Sequence, residues 1–145
     1  MRIRKATLKD LQKIRQSSKE FNFELNRDWN DLISSKKSEM FILIDNKEII
    51  GFTWLIYYKW NNTIQISNIF VNPKFRSQGL GLKLIKFLIN KVKKTDYRCL
   101  IAEAPSLNPV VKLYKKAGFR KCGFNDRYYS NSGKEIALWM SIDLK

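Results

Sequence analysis

No histidine occurs anywhere in the 145 residues. That absence removes Ser-His-Asp and Cys-His catalysis and the usual zinc-site spacings, so acid–base work must come from Glu, Asp, Tyr, Lys or water. Cysteine is nearly as scarce. Cys99 and Cys122 are too few for a disulfide framework; they fit a reducing, cytoplasmic compartment and read as small buried hydrophobes. No apolar run approaches the roughly 18 residues that a bilayer span requires, and Met1 to Asp10 lacks the apolar stretch of a signal peptide, so no membrane association is expected. Acidic residues are also few: 13 Asp and Glu stand against 28 Lys and Arg, a formal charge of +15. Such an excess favours acidic partners, among them nucleic acid, the ribosome or a polyphosphate ligand. The lysines are nevertheless spread along the chain, as on an ordinary lysine-rich solvated surface.

What is present is ordinary globular material, 44% apolar and 28% charged, far from the signature of disorder and of a length that suits one domain over residues 1–145. Residues 2–6 alternate around Ile3 as a short strand, and Thr7 is placed to cap a helix carrying Leu8, Leu11 and Ile14 on one face. Residues 20–29 mix Phe21, Phe23, Leu25 and Trp29 with polar residues, as a loop or broken helix with an apolar side; a short helical piece follows through Ile33 and Ser35. The β-rich runs 40–44, 48–58 and 63–71, separated by turn residues, predict three consecutive antiparallel strands. From Gly79 the period lengthens, placing Leu84, Ile85, Leu88 and Val92 on one helical face before a strand at 97–104. A helix from Asn108 or Pro109 bears Val110, Leu113, Tyr114 and Ala117, with Gly118 as its stop signal, and strands at 119–129 and 136–142 close the chain. A strand–helix–strand unit inside an antiparallel meander predicts one parallel strand pair with a right-handed crossover, hence a mixed α/β class.

Arg76-Ser77-Gln78-Gly79-Leu80-Gly81 falls between a strand end and a helix start. Glycines there allow close backbone approach, and unpaired N–H groups at the positive helix end suit a phosphate; a plain helix entry needing a flexible backbone would show the same pattern. The segment resembles the pyrophosphate-binding signature of the GNAT superfamily of N-acetyltransferases: Arg or Gln, any two residues, Gly, any one, Gly or Ala. Asn68 to Pro73 is similar to that family's strand leading into the signature, and Asn108 to Phe119 to its Asn, Leu-Tyr and Gly-Phe segment. The resemblance implies a mostly antiparallel sheet of about seven strands flanked by about four helices, acetyl-CoA as cosubstrate, and no metal. It implies that the pantetheine arm lies along Ile69, Phe70 and Val71 with Asn108 beside it, and that Arg76, Ser77, Gln78, Gly79, Leu80 and Gly81 hold the pyrophosphate. It also implies that Tyr114 protonates the departing thiolate, a plausible exchange for a phenol of pKa about 10. A core aromatic with its hydroxyl satisfied elsewhere is the plainer reading of Tyr114.

Within the superfamily the chain is most similar to the ribosomal-protein and peptide N-α-acetyltransferases. In that branch a Glu with the spacing of Glu103 to Asn108 serves as base, and the tyrosines of the carboxyl-terminal hairpin, here Tyr128 and Tyr129, grip the peptide amino terminus. Pro105 departs from the branch's pattern. A salt-bridged strand-end Glu103 and tyrosines that merely pack a sheet face are the competing readings. Phe23, Leu25 and Trp29 occupy the place of the superfamily's substrate loop, where they line the acceptor pocket or simply anchor the loop. The expected activity is acetyl transfer to a primary amine, foremost the N-terminal α-amine of a protein or peptide carried on an acidic assembly such as the ribosome, by a monomer or homodimer. A small amine such as a polyamine or amino sugar would use the same machinery. The reading from another class is a basic ribosome- or RNA-binding module that has lost catalysis, with nucleic-acid contact following from charge.

Overall fold

Seven strands form the sheet, and four helices, two on each face, produce the covering layers. The computed structural model describes residues 1–145. In chain order the elements are β1 (Arg2–Lys5), α1 (Leu11–Glu20), α2 (Trp29–Ser34), β2 (Ser38–Asp45), β3 (Glu48–Tyr58), β4 (Thr63–Val71), α3 (Leu80–Val92), β5 (Cys99–Pro105), α4 (Val110–Lys116), β6 (Arg120–Asn125) and β7 (Ala137–Asp143). All strands join one sheet in the order β1-β2-β3-β4-β5-β7-β6. Every pairing is antiparallel except that of β4 with β5, whose crossover is α3. No helix is long and apolar enough to cross a membrane.

Strand alternation splits the core between the two faces of the sheet. On one face Leu55, Ile64, Ile66, Leu100 and Ala102 meet Ile85, Leu88 and Val92 of α3 and Tyr114 of α4. On the other, Met40, Ile42, Phe52, Trp54 and Phe70 meet Ile14 of α1 and Trp29 and Leu32 of α2. Gly51 of β3 is required by the close approach of β4: a Cβ there would lie 2.8 Å from the Phe70 carbonyl oxygen. Gly51→Ala is therefore expected to cost about 1–3 kcal/mol, because backbone and not a flexible side chain must yield. An unchanged urea midpoint for this variant would show that β4 moves freely.

Three local expectations are corrected. Leu8 does not face the core; it is exposed at 55%. Residues Leu8–Asp10 form a 3₁₀ turn ahead of α1, because the Asp10 carboxylate accepts from the Thr7 N–H at 2.8 Å and from the Arg4 guanidinium at 2.9 and 2.8 Å. The strand expected to reach Tyr129 stops at Asn125, whose Oδ1 accepts the Arg127 N–H at 2.9 Å and turns the chain. Cys122 is exposed, not buried, while Cys99 is buried. It is the extra residue of a bulge between Lys121 and Gly123 on the edge strand β6, which no further layer covers.

Candidate active site

The site begins where the parallel ladder fails. β4 and β5 pair over only four positions, Thr63↔Cys99 to Ile66↔Ala102; β4 then continues to Val71 and β5 to Pro105 without a partner between them. A register shift opposite Trp54 and Leu55 leaves Ser67 as an extra residue in β4. This bulge reverses the strand's parity: Ile64 and Ile66 face α3, whereas Phe70 joins the core under α1 and α2. The buried Thr53 hydroxyl satisfies the Asn68 carbonyl displaced by the bulge, at 2.6 Å.

Which backbone groups line the gap follows from the period of two. The Asn72 N–H bonds the Ile50 carbonyl on the β3 side, so the N–H groups of Ile69 and Val71 point the other way, toward the parted β5. The Ile69 N–H lies 3.0 Å from Asn68 Oδ1, and the Val71 carbonyl accepts from Arg76 Nε at 2.9 Å. Arg76 thus ties the loop after β4 to the lip of the gap. Phe70, between them, is buried in the core under α1 and α2.

The loop ends in a left-handed step. Gly79 takes φ +77° as the residue before α3, with nothing within 4 Å of a notional Cβ, and Ser77 is also at positive φ. Ser77, Gln78 and Gly79 are exposed, while Leu80 turns into the core. The first N–H groups of the 13-residue α3 therefore open at a backbone cradle that side chains do not obstruct. Gly81 serves packing: a Cβ there would come 3.0 Å from Leu113 Cδ1 of α4. Asn108 is exposed and uses Oδ1 to accept the Val110 N–H at 2.9 Å, fixing the start of α4. A long, phosphate-bearing thioester with a peptide-like arm fits this frame, since the gap offers strand-edge amides and the α3 entrance offers unobstructed helix N–H groups.

Glu103 and Tyr114 approach the parted strands from opposite faces. Glu103 lies one position beyond the last β4–β5 pair and is matched across β7 with Trp139. Its Oε1 is buried without a hydrogen-bond partner, and burial raises its carboxyl above the ordinary range. Tyr114 is 2% exposed and packs on Phe119 at 5.0 Å between ring centroids. Burial first, and then the charge of Glu103, push its phenol well above the usual value, so it keeps its proton.

The groups that surround Glu103 come from distant segments. The Tyr128 hydroxyl is raised by burial and then by the charge of Glu103, with smaller effects from Tyr58 and Glu24. Tyr128 stacks edge-on against Tyr129 at 5.1 Å and Trp139 at 5.9 Å. Across the gap Glu24 accepts from Asn68 Nδ2 at 2.8 Å and pairs with Arg27 at 3.0 Å, and the Arg27 guanidinium lies over the Trp54 ring. Glu24, Tyr58 and Trp139 have no role legible in the sequence, and Asn68 only opens the strand leading into the signature; a lone acid in a loop and a strand Asn carry no signal until the bulge brings them together. The three aromatic and apolar loop residues separate. Leu25 is exposed and lines a concavity with Glu24 and Arg27, whereas Phe23 packs on Phe52 and Phe70. Trp29 is only 3% exposed, edge-on to Phe52 and Trp54. Its place is in the core beneath the loop.

With this geometry in hand, comparisons with known proteins converge. The model of the acetyltransferase (GNAT) family matches residues 6–119. A Bacillus subtilis (strain 168) protein provisionally named a [ribosomal protein bS18]-alanine N-acetyltransferase is 26% identical over 79% of this chain and 76% of its own length. The streptothricin acetyltransferase of Streptomyces lavendulae is 29% identical over 66% of this chain and 52% of its own. The [ribosomal protein bS18]-alanine N-acetyltransferase of Escherichia coli (strain K12) is 32% identical over 53% of each. The match thus spans about half the length of the last two proteins. A crystal structure of the Escherichia coli ribosomal-protein-S18-alanine N-acetyltransferase superposes with a TM-score of 0.79 at 23% identity, covering 99% of this chain and 94% of the other.

Proposed function

From the chain's membership of the acetyltransferase (GNAT) family, an N-acetyltransferase family that draws acetyl groups from acetyl-CoA, we propose that its acceptor is the N-terminal α-amine of a protein or peptide, with a ribosomal protein as the leading case, and that residues 1–145 form a single N-acetyltransferase domain. The observation that carries this reading is Glu103: one carboxylate, with a buried, unpartnered oxygen and a raised pKa, at the mouth of the parted strands beside Tyr128. A base of this kind suits an α-amine of pKa about 8 better than a lysine ε-amine near 10.4, which is almost wholly protonated at neutral pH. The relatives named for ribosomal protein bS18 support the same acceptor class.

Bound acetyl-CoA supplies an acetyl group already activated as a thioester. The residues of the chain then have distinct tasks. Ile69, Phe70 and Val71 present the strand edge, with the Val71 N–H group as donor while the Ile69 N–H donates to Asn68 Oδ1; Arg76 to Gly81 form the anion cradle, and Asn108 steadies the start of α4 beside it. Glu103 receives the amine proton, directly or through one water, and Tyr114 Oη holds a proton ready for a thiolate. Tyr128, Tyr129 and Leu25 flank the incoming amine terminus, and Phe23 and Trp29 support the loop from below.

The match to streptothricin acetyltransferase favours a second reading, a small-molecule amine. Polyamines are disfavoured by a surface of net charge +15. Thiol release from acetyl-CoA decides between the two, using peptides that differ in their first residue, the same peptides with blocked amino termini, polyamines, and streptothricin. Turnover is expected only with free peptide amino termini. Turnover confined to streptothricin or a polyamine would replace the peptide reading and leave the acetyl-transfer machinery in place.

A further inference from the structure

At the end of the sheet where β4 and β5 begin lies a groove of about 980 Å³. It is built where β3 ends and where β2 and β5 begin, and it takes in Ser38, Tyr57, Tyr58, Trp60 and Tyr97. Because β4 and β5 are parallel, their starts face this groove and their far ends face the cleft. A second hollow of about 590 Å³ shares Glu39 and Tyr57 with it and extends it along α3 past Phe87.

The lining is predominantly basic. Lys5, Lys36, Lys37 and Lys59 border the first hollow and Lys91 and Lys94 the second, while Glu39 is the one acid in either. That acid is already engaged, by Lys5 at 3.4 Å, by Lys91 at 3.9 Å and by the Tyr57 hydroxyl at 2.7 Å. At the rim Trp60 is 85% exposed, the most exposed of the large apolar side chains. It sits on the tight β3–β4 turn, which the neighbouring strand ends hold: Asn62 Nδ2 donates to the Asp96 carbonyl at 3.1 Å and Arg98 Nε to the Asn61 carbonyl at 2.9 Å. An indole on a braced turn, in water, contributes nothing to the core. An exposed indole bordering the same groove as the lysines suits a base-stacking platform beside a phosphate track.

We infer that this groove binds single-stranded RNA, with Trp60 stacking on a base and the lysines tracking the backbone. Charge alone would accept any polyanion. The exposed indole beside the lysines selects one whose π-faces are free, which excludes the duplex, and the strong net charge of +15 supplies the long-range attraction. The groove lies at the start of β5 and the acetyl-transfer cleft at its far end, with Tyr58, which borders the groove and acts on Tyr128, between them. An acetyltransferase held to RNA in this way would meet its acceptors at high local concentration.

The test is a titration of the full chain with a labelled short oligouridylate, its duplex with the complementary strand, heparin, and vesicles containing phosphatidylglycerol, at several salt concentrations. Single-stranded RNA is expected to bind most tightly, with log affinity falling linearly with log salt. Trp60→Ala should weaken it about tenfold and Trp60→Phe restore most of that loss, while Lys36→Gln and Lys37→Gln should each flatten the salt slope by about one. Melting temperatures of all variants should match the parent, since these side chains are exposed. The inference fails if oligouridylate does not bind, if Trp60→Ala binds it as well as the parent does, or if heparin or vesicles bind equally well and Trp60→Ala has no effect on the RNA.

Discussion

Glu103→Gln is expected to lower kcat at neutral pH by about 10²–10⁴-fold, the usual contribution of a positioned general base, while making the protein more resistant to heat. The two effects have one cause. Burial raises the Glu103 carboxyl because the charged form loses water and its Oε1 gains no partner in return. A carboxyl whose folded pKa lies above its unfolded value favours the folded state below the unfolded pKa, and that advantage is lost as pH rises through the folded pKa. At neutral pH the ionised group is therefore a liability to stability that the neutral, isosteric amide removes. Catalysis requires that same ionised form. The wild-type pH–rate profile should show an acidic limb above the ordinary carboxylate range, and the amide variant should lack it. A variant that keeps both the limb and a kcat within a few-fold of wild type would show that another group is the base. Activity lost together with stability would point instead to misfolding.

Tyr114→Phe is expected to lower kcat by about 10²-fold with little change in melting temperature. The ring is buried and packs on Phe119, and phenylalanine keeps that packing; only the hydroxyl is removed. Burial and the Glu103 charge hold the phenol well above its usual pKa, so it stays protonated and adds no basic limb to the profile below about pH 10. An acetyl thioester with a more acidic leaving thiol needs less help from an acid, and with it the deficit of Tyr114→Phe should shrink. An equal deficit with both donors would assign Tyr114 a packing role. Because Tyr114 and Glu103 influence each other, the double variant should lose less than the product of the two single losses.

Much of the fold was legible because its signals are local. Leu84, Ile85, Leu88 and Val92 share a helical face and all are buried, and the β2–β3–β4 meander follows its turn residues. Where the reading strayed, a contact outside the window prevailed. Arg4 and Thr7 draw on the Asp10 carboxylate and tighten the entry to α1. The edge position and bulge of β6 expose Cys122. Trp29, which looked available for an acceptor, is taken into the core by Phe52 and Trp54.

The sequence by itself determined the mixed α/β class, the strand–loop–helix around Arg76 to Gly81 and the exclusion of histidine chemistry, since each depends on residue type and on spacings of two to four positions. Only the tertiary structure decided that β4 and β5 part after Ile66 and Ala102, and that Glu103, Tyr114, Tyr128 and Glu24 gather around the opening. A single extra residue at Ser67 turns the rest of β4 over. The order of the strands then pairs segments as far apart in sequence as Cys99 and Asp143. Burial, and with it the raised pKa of Glu103, is a property of that assembly and cannot be read from any window of the chain.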